Sequence, residues 1–502
     1  MNNDSKLSNE SLEENLFLAQ TAREDFLTYC QLVDSKYQAK WFHEIIARTL
    51  ERALERTIQK KKTRIILAIP PRHGKTRTAA ELFPSWGLGK HPDIQFILSS
   101  YGAELAEKTG LKTRDLINSS VYEAIFPNIA LRKDVKAKAK WMITDKSKNA
   151  VTGSYTAVGI GGAVTGIGAD IIIIDDPHKS RKEAESAVER ETVWEYYRST
   201  LYSRLEGSGC IILIMQRWHT DDLVGRILEH EEKLKEAGEE HDEWEVINFP
   251  AIAEEDELDP DTHALLRKQG EALWPEKFPL AVLDNIKQTQ GIYNFVSQYQ
   301  QDPILQEAQD FKVEYFKPYE PTILKDKYLQ YYTFVDPAIG QKKDSDNTVV
   351  LTIAKEVDGP NIYRIREDSG HFTPQQTVDL IFKHALEYKG DVWLETVAYQ
   401  KALKYAVEEE QRKRQMYFVI QEVKSGNKEV RIRGLIPMYQ QGVIHHLPSD
   451  FQYEKEALQF PRGKHDDRLD CMSFMLQALE NTRSSRYVKQ FKKKITGYFQ
   501  NG

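Results

Sequence analysis

The stretch RIILAIPPRHGKTRTAAEL, residues Arg64–Leu82, decides the fold of the first half of this 502-residue chain. An apolar run rich in Ile and Leu ends at two prolines, passes through Gly74-Lys75-Thr76, and continues with apolar residues at helical spacing. Backbone N–H groups at the start of a helix point away from it and, together with the helix dipole, attract an anion. The stretch therefore predicts a strand, a phosphate-binding loop and a helix.

The loop departs from the full GxxxxGKT pattern at one position, where Ile69 stands in place of the first glycine. Lys75 would supply a cation for the outer phosphates of a nucleotide, and Thr76 a hydroxyl ligand for Mg2+. An ordinary strand, turn and helix with a chance GKT is the alternative. The predicted nucleotide-contacting residues of the loop are Pro71, Arg72, His73, Gly74, Lys75 and Thr76.

The run IIIIDDP places two carboxylates, Asp175 and Asp176, directly after four isoleucines that predict a buried strand. Because α/β sheets bind ligands at the carboxyl ends of their strands, we expect both beside the phosphate loop. Asp175 is predicted to hold Mg2+ and Asp176 to orient the attacking water. The transferred phosphate also needs a positive charge. The candidates are Arg72, Arg114 and Arg217, although a surface or ion-pair role explains each equally well.

From about residue 63 to residue 250, apolar runs alternate with amphipathic stretches. This pattern is typical of a parallel sheet that helices cover on both faces, and it predicts an α/β domain. The runs are TRIILAIPP, DIQFILSS, ADIIIIDDP, GCIILIMQRW and EWEVINFPAI.

A second pattern begins near Tyr328. Three closely spaced strand-like runs (YLQYYTFVDPA, NTVVLTIAKEV and NIYRIREDSG) precede alternating helices and strands, and the last helix follows KHDDRLD. Short connections favour antiparallel pairing of the first three strands. This element order predicts a ribonuclease-H-like sheet.

Acidic residues mark the ends of elements in this second half. Asp336 ends the first strand, Glu395 lies in a later one, and Asp466, Asp467 and Asp470 open the last helix. Carboxylates from different elements repel each other unless cations lie between them. Oxygen ligands select Mg2+ or Mn2+, and two such ions can clamp both oxygens of a phosphodiester. We therefore predict a metal site for phosphodiester cleavage, with solvated acids at element ends as the alternative.

Four other charged residues in the second half have two explanations each. Asp344 and Asp346 could be outer metal ligands, but the turn-like composition of QKKDSDN favours turn residues. Lys428 and Arg431 could contact DNA phosphates or stabilise developing charge, and a solvated helix face explains them as easily.

Composition excludes several classes of protein. The net charge of -7 gives no global basic footprint, so nucleic-acid contacts would be local. The tail from Arg483 has six Lys or Arg and no acid, which suits either DNA contact or a solvated end. Cys30, Cys210 and Cys471 show no CxxC pairing, so we expect no disulfide framework, no zinc site and a reducing compartment. The polar N-terminus and the lack of long apolar runs predict a chain that is neither exported nor membrane-spanning.

We predict five segments along the chain. They are a helical N-terminal segment (1–62), the P-loop core (63–250), a connector with helices rather than a sheet (251–325), the ribonuclease-H-like domain (326–480) and the basic tail (481–502).

From about Phe26 to Leu479 the chain resembles the large terminase subunit of tailed bacteriophages. The pieces that carry the resemblance are PPRHGKT, SSYGAELAEKTG, IIIIDDPHK, MQRWHTDDLVGRIL, EALWPEKF, QYQQDP, FVDPA, NKEVRIRGL and FPRGKHDDRLD. The resemblance implies an α/β fold in which an N-terminal P-loop (ASCE, RecA-like) ATPase domain precedes a ribonuclease-H-like nuclease domain. It implies an ATPase that translocates double-stranded DNA into a procapsid and an endonuclease that cuts the concatemer, with ATP, Mg2+ and Mn2+ as cofactors.

The resemblance also implies a role for each matching residue. Lys75 and Thr76 bind nucleotide, Asp175 and Asp176 form the Walker B pair, Gln216-Arg217-Trp218 form the coupling segment, Gln38 contacts adenine, and Asp336, Glu395 and Asp467 form the metal triad with Asp466 beside it. Relatives often have TGRGAD before the Walker B strand, whereas this chain has Ile167 in TGIGAD. A trans-acting arginine would then come from elsewhere.

The implied partners are double-stranded DNA, a portal protein, a small terminase subunit and further copies of the chain in a ring on the portal, although the isolated chain could be a monomer. The implied location is the host cytoplasm, with transient docking on the procapsid and absence from the mature virion. The alternatives are a cellular ATP-dependent nuclease or helicase-nuclease of a defence system or mobile element, and a binding scaffold with inactive sites.

Overall fold

The structure is a computed structural model that describes most of the chain. The described residues are 16–148, 151–164, 166–303, 309–338, 347–395, 400–424, 426–461, 463 and 465–480. Asp344, Asp346 and the basic tail 481–502 lie outside them. The chain divides into two compact units, Met1–Ile304 and Leu305–Gly502.

A large sheet forms the centre of the first unit. Its strands are β1 Thr63–Ala68, β2 Gln95–Ser100, β3 Ile129–Lys136, β4 Lys140–Asp145, β5 Ser154–Gly159, β6 Ala169–Asp175, β7 Leu205–Met215 and β8 Glu245–Asn248. The strand order is β3-β4-β5-β2-β6-β7-β1-β8. Only the pairs β3–β4 and β4–β5 are antiparallel within it. The five predicted apolar runs form β1, β2, β6, β7 and β8.

Both faces of this sheet are covered, as the apolar runs predict. Ile65 and Leu67 of β1 belong to one hydrophobic cluster, whereas Ile66 and Ala68 belong to another. Alternate side chains of a strand point to opposite faces, so a strand buried on both faces needs a continuous apolar run. The same reason explains why β3, β4 and β5 were not predicted. They are rich in Lys, Thr, Ser and Asp, and β3 and β4 lie at the edge of the sheet.

Helices pack around the sheet of the first unit. They are α1 16–24, α2 Phe26–Val33, α3 Trp41–Ile58, α4 Phe83–Lys90, α5 Ala103–Ile117, α6 Ser120–Ile125, α7 Arg181–Glu185, α8 Ala187–Glu195, α9 Leu223–Glu236, α10 Leu280–Gln290 and α11 Ile292–Gln298. A π-helical segment, Arg77–Leu82, precedes α4, and a second, Tyr196–Leu201, follows α8. The connector region holds a small antiparallel pair, β9 Glu257–Leu258 and β10 Leu265–Arg267, in addition to the predicted helices.

The position of β7 identifies the class of the first sheet. β7 pairs with β1, which leads into the phosphate loop, and with β6, which ends at Asp175. One strand is thus inserted between the loop strand and the carboxylate strand. This insertion confirms the predicted ASCE, RecA-like arrangement.

The second unit contains a seven-stranded sheet. Its strands are β11 Lys317–Pro318, β12 Leu329–Asp336, β13 Thr348–Glu356, β14 Ile362–Gly370, β15 Asp391–Glu395, β16 Ile420–Val423 and β17 Ile444–His446. The order is β11-β17-β14-β13-β12-β15-β16. Its helices are α12 Pro374–Tyr388, α13 Gln400–Arg414, α14 Lys428–Arg433, α15 Ile436–Gln440, α16 Phe451–Gln459 and α17 467–480.

The five central strands have the predicted ribonuclease-H-like arrangement. β12, β13 and β14 pair antiparallel in sequence, and β15 and β16 continue parallel on the other side of β12. The short strands β11 and β17 were not predicted, because runs of two and three residues show no periodicity. No helix in the described part of the chain is long and apolar enough to cross a membrane.

Candidate active sites

The phosphate loop connects β1 to the helix that begins at Lys75. Arg72 and Gly74 have positive φ angles of 62° and 87°. A Cβ atom on Gly74 would lie only 2.8 Å from His43 Nε2. Glycine is therefore required here both for the backbone conformation and for the close approach of His43.

The Lys75 ammonium is buried inside the loop. Nζ donates to the side-chain oxygen of Gln216 at 3.2 Å and to the carbonyl of Ile69 at 3.5 Å, and lies 3.9 Å from Asp176 Oδ1. The Ile69 side chain is fully buried in the core. The position where the loop departs from the glycine pattern thus contacts Lys75 through its backbone.

Thr76 and Asp175 lie side by side at the ends of the loop and of β6. The Thr76 hydroxyl donates to Asp175 Oδ1 at 3.0 Å. Burial, and then the charge of Asp176, raise the pKa of Asp175 to about 8, against the opposing effects of Lys75 and Thr76. A hydroxyl and a carboxylate are hard oxygen donors, so this pair fits the predicted magnesium ion.

Asp176 adopts a left-handed backbone conformation, with φ 46°. Its backbone N–H donates to the carbonyl of Ile214 in β7, and its carbonyl accepts from Tyr101. Oδ1 is buried and has no hydrogen-bond partner. A buried acceptor without a partner is costly and commonly marks a functional group.

The three candidate arginines have different surroundings. Arg72 is exposed, and Arg114 lies partly buried in the last turn of α5. Arg217 Nε lies 3.0 Å from both carboxylate oxygens of Asp222, which is fully buried and caps the N-terminus of α9. The structure therefore places Arg217 in an ion pair that shapes the turn after β7. Gln38 is exposed in the segment between α2 and α3.

Two histidines brace the back of the phosphate loop. His43 Nδ1 accepts from the backbone N–H of Lys40, so Nε2 carries the proton and donates to the carbonyl of His73 at 3.1 Å. His73 Nδ1 donates to the carbonyl of Pro71 at 2.9 Å. Burial lowers the pKa of both imidazoles to about 4. Both rings are therefore neutral braces near neutral pH.

The segment EALWPEKF also contacts the loop. The His73 ring stacks on Phe278 with centroids 4.7 Å apart, and Lys277 Nζ donates to the carbonyl of Arg72 at 2.6 Å. Sequence reasoning missed the roles of His43, Lys277 and Phe278 in shaping the loop. The only signal was the aromatic character of EALWPEKF, which was noted without a role.

The second candidate site lies at one end of the sheet of the second unit. Asp336 and Glu395 are the last residues of β12 and β15, which are parallel neighbours with Val335 opposite Leu394. The two carboxylates therefore stand on adjacent strands at the same sheet edge. The structure thus brings these two predicted residues together.

The first turn of α17 supplies further carboxylates. Asp467 Oδ2 accepts from the backbone N–H of Asn347 at 2.9 Å, and Asp467 and Asp470 are both buried. Burial raises the pKa of Asp336 well above its usual range, and the charges of Asp470, Glu395 and Asp467 raise it further. Carboxylates from two strands and one helix therefore converge, as predicted.

Two cations from α14 lie among these acids. Arg431 bridges Glu395 and Asp470, and Lys428 lies closest to Asp466. A fully solvated helix face therefore does not describe either cation. Within the described residues, no three Asp, Glu, His or Cys side chains are gathered closely enough to hold one metal ion as they stand. The donor set is nevertheless all carboxylate, which fits Mg2+ or Mn2+ once the acids close around it.

Comparison with protein families gave one match. Residues 66–280 match the family described as "Terminase large subunit, T4likevirus-type, N-terminal". The matched range includes the phosphate loop, Asp175, Asp176 and Gln216. A search of curated proteins found no match.

Several solved structures are similar to this chain at low identity. They are the large terminase of bacteriophage HK97 (11% identity, 84% of this chain and 88% of that chain, TM-score 0.34), the large terminase of a thermophilic bacteriophage in complex with ATP-gamma-S (14%, 85% and 98%, 0.28) and the large terminase nuclease of thermophilic phage G20c with bound magnesium (16%, 32% and 82%, 0.23).

Proposed function

We propose, from the premise that residues 66–280 match the terminase large-subunit family, that this chain is the motor subunit that packages the DNA of a tailed bacteriophage. In this proposal the first unit hydrolyses ATP to translocate double-stranded DNA, and the second unit cuts the concatemer. The observation that supports it best is the presence of two anion- and cation-binding sites of different chemistry in one chain. One is the phosphate loop with its Asp175–Asp176 pair, and the other is the carboxylate cluster around Asp336.

In the ATPase site, the backbone of the loop and the Lys75 ammonium bind the phosphates of ATP. Thr76 and Asp175 hold a magnesium ion, which neutralises the phosphate charge when bound. Asp176 Oδ1, a buried acceptor without a partner, orients the attacking water. Gln216 contacts Lys75 from the end of β7 and senses the outer phosphate. These roles follow from position, since all four side chains border the same loop.

The positive charge opposite the leaving phosphate is assigned to Arg72. It is exposed on the loop itself, whereas Arg217 is held by Asp222. Ile167 replaces the arginine that relatives often have before β6. We therefore expect any arginine contributed in trans to come from another surface of a neighbouring copy. Gln38, in the exposed segment before α3, is the proposed adenine contact.

In the nuclease site, Asp336, Glu395 and Asp467 hold the divalent ions and Asp466 supports them. Mg2+ or Mn2+ bound there would activate a water and stabilise the leaving oxygen of the phosphodiester. The chain's own contribution is to fix the carboxylates on two adjacent strand ends and one helix. This arrangement supports cleavage of DNA by two ions.

The proposed partners follow from the packaging role. They are double-stranded DNA, a portal protein, a small terminase subunit and further copies in a ring on the portal. The motor would work in the host cytoplasm while docked on a procapsid, and would leave before the virion matures. DNA grip through phosphates predicts that ATP turnover stimulated by DNA weakens as salt rises.

Two variants of the full chain test the proposal. We expect Lys75→Ala to abolish DNA-stimulated ATP hydrolysis and to leave cleavage intact, and Asp336→Asn to do the opposite. Lys61→Ala and Asp326→Asn, both at exposed positions, serve as matched controls. Circular dichroism would verify the folding of each variant. Loss of both activities in one folded variant, or strand separation on a forked duplex by the wild type, would overturn the proposal.

A further inference from the structure

Helix α14 places two cations on one side of the carboxylate cluster. Lys428 and Arg431 are three residues apart and thus lie on the same helix face. Asn427 caps the helix, because its side chain accepts from the backbone N–H of Val430 at 3.1 Å. Both cations contact Asp470. A single short helix therefore supplies all the positive charge in contact with these acids among the described residues.

Arg431 is held firmly. One guanidinium nitrogen donates to both oxygens of Asp470, at 2.7 and 2.9 Å, and another donates to Glu395 at 3.0 Å. The guanidinium also lies 5.1 Å from the centre of the Phe474 ring, and only 13% of the side chain is exposed. A planar group with this many fixed contacts loses much if it moves.

Lys428 is held loosely. Its ammonium makes one short contact, 2.6 Å to Asp466 Oδ1, and lies 3.6 Å from Asp467 and 4.0 Å from Asp470. The side chain is 36% exposed. A point charge on a long aliphatic stem can move to another anion at small cost.

We infer that Lys428 is a displaceable counter-ion of the carboxylate cluster, which divalent ions must move aside, whereas Arg431 is a permanent one that orients Glu395 and Asp470. This inference rests on the proposed nuclease function. With all five carboxylates ionised, Arg431 and two divalent ions balance the charge, and no negative charge is left for Lys428. The displaced ammonium then pairs with a phosphate of the bound DNA.

The consequence is a coupling between DNA and metal. DNA supplies a new partner for Lys428, so it removes the competitor and tightens metal binding, and metal tightens DNA binding by the same factor. The cluster would thus bind metal weakly until DNA is seated. Lys428 and Arg431 act here as positioning residues, not as groups that react.

The test measures Mn2+ affinity of the full chain by titration calorimetry, with and without a short phosphorothioate duplex that keeps the backbone charge. Asp336→Asn identifies the binding component that belongs to this cluster. We expect wild-type affinity to rise about tenfold with DNA, as a coupling of ordinary size would give. Lys428→Met should bind Mn2+ about tenfold tighter without DNA and show no further gain with it.

Two further variants make the result specific. Lys428→Arg keeps the charge and should retain the coupling, and Lys424→Met, at an exposed position just before α14, should behave like the wild type. Equal Mn2+ affinity and equal coupling in Lys428→Met and wild type would overturn the inference while leaving the nuclease intact. If Asp336→Asn changed neither Mn2+ binding nor cleavage, the proposed nuclease function itself would fail.

Discussion

The side-chain oxygen of Gln216 accepts a hydrogen bond from the Lys75 ammonium at 3.2 Å, across 141 positions of sequence. Gln216 directly follows β7, the strand between β1 and β6. The contact therefore joins the phosphate loop to the strand that separates it from the Walker B carboxylates.

This contact predicts a defect in turnover and not in binding when Gln216 is replaced. In Gln216→Leu we expect the rate of ATP hydrolysis to fall about 100-fold, as for loss of one preorganised polar group. The loop backbone still binds the phosphates, so the Kd for a fluorescent ATP analogue should change little. Gln288→Leu, at an exposed position of α10, is the control. A weaker Kd with unchanged kcat would contradict the prediction.

Gly74 is required for two separable reasons, and two glycines distinguish them. Gly161 has a similar φ of 81°, but a Cβ there would meet nothing within 4 Å. Gly161→Ala should cost about 1 kcal/mol of unfolding free energy, from backbone strain alone. Gly74→Ala should cost more and abolish nucleotide binding, because its Cβ also meets His43. Urea unfolding measures both, and His43→Ala should restore part of the loss in Gly74→Ala.

The buried imidazoles make the first unit sensitive to acid. The pKa of His73 in the folded chain is lowered to about 4 from 6.5, so below pH 6.5 the unfolded chain binds a proton that the folded chain does not. Stability from this residue is therefore complete above pH 6.5 and falls progressively toward pH 4, by roughly 3 kcal/mol. His43 acts in the same direction.

The variant His73→Phe keeps an aromatic ring on Phe278 but removes the titrating group. Unfolding free energies at pH 7, 6 and 5 should fall less steeply in this variant than in the wild type. Asp175 changes stability with pH in the opposite direction, because its pKa is raised, but it contributes equally to both proteins. Identical slopes would show that His73 does not titrate as expected.

A buried ion-pair network supports the second unit. Arg364 donates to Glu367 at 2.6 Å and lies 3.6 Å above the Tyr453 ring, and Arg468 contacts the same glutamate at 2.6 Å. Arg364→Met leaves Glu367 partly uncompensated in the interior and should cost about 3–5 kcal/mol. Thermal unfolding measures the loss. Arg433→Met removes an exposed pair and should leave the midpoint nearly unchanged.

The fold was predictable where burial is two-sided. The four isoleucines of β6 and the apolar core of β7 show in the sequence because both faces of these strands are covered. β3 and β4 lie at a sheet edge, and their Lys and Asp residues hide the strand pattern. β17 has only three residues, and its pairing with β14 depends on contacts about 80 positions apart.

The sites were predictable where their chemistry is local in sequence. Gly74-Lys75-Thr76 and Asp175-Asp176 are short motifs at element ends, so their meeting follows from sheet topology. The brace of His43 on the loop and the pairing of Arg431 with Glu395 are tertiary contacts without a local pattern. Arg217 was recognised as a residue at a strand end, but its capture by Asp222 depends on the turn that follows.

β7 runs without interruption for 11 residues, from Leu205 to Met215, and is hydrogen-bonded on both sides from Cys210 onward. At about 3.3 Å per residue it behaves as a push rod about 35 Å long. A small axial displacement of Gln216 when the outer phosphate leaves would therefore reach Leu205 at the far edge of the sheet nearly undiminished. The π-helical turn ahead of that end is the first place where such a stroke could be turned into rotation.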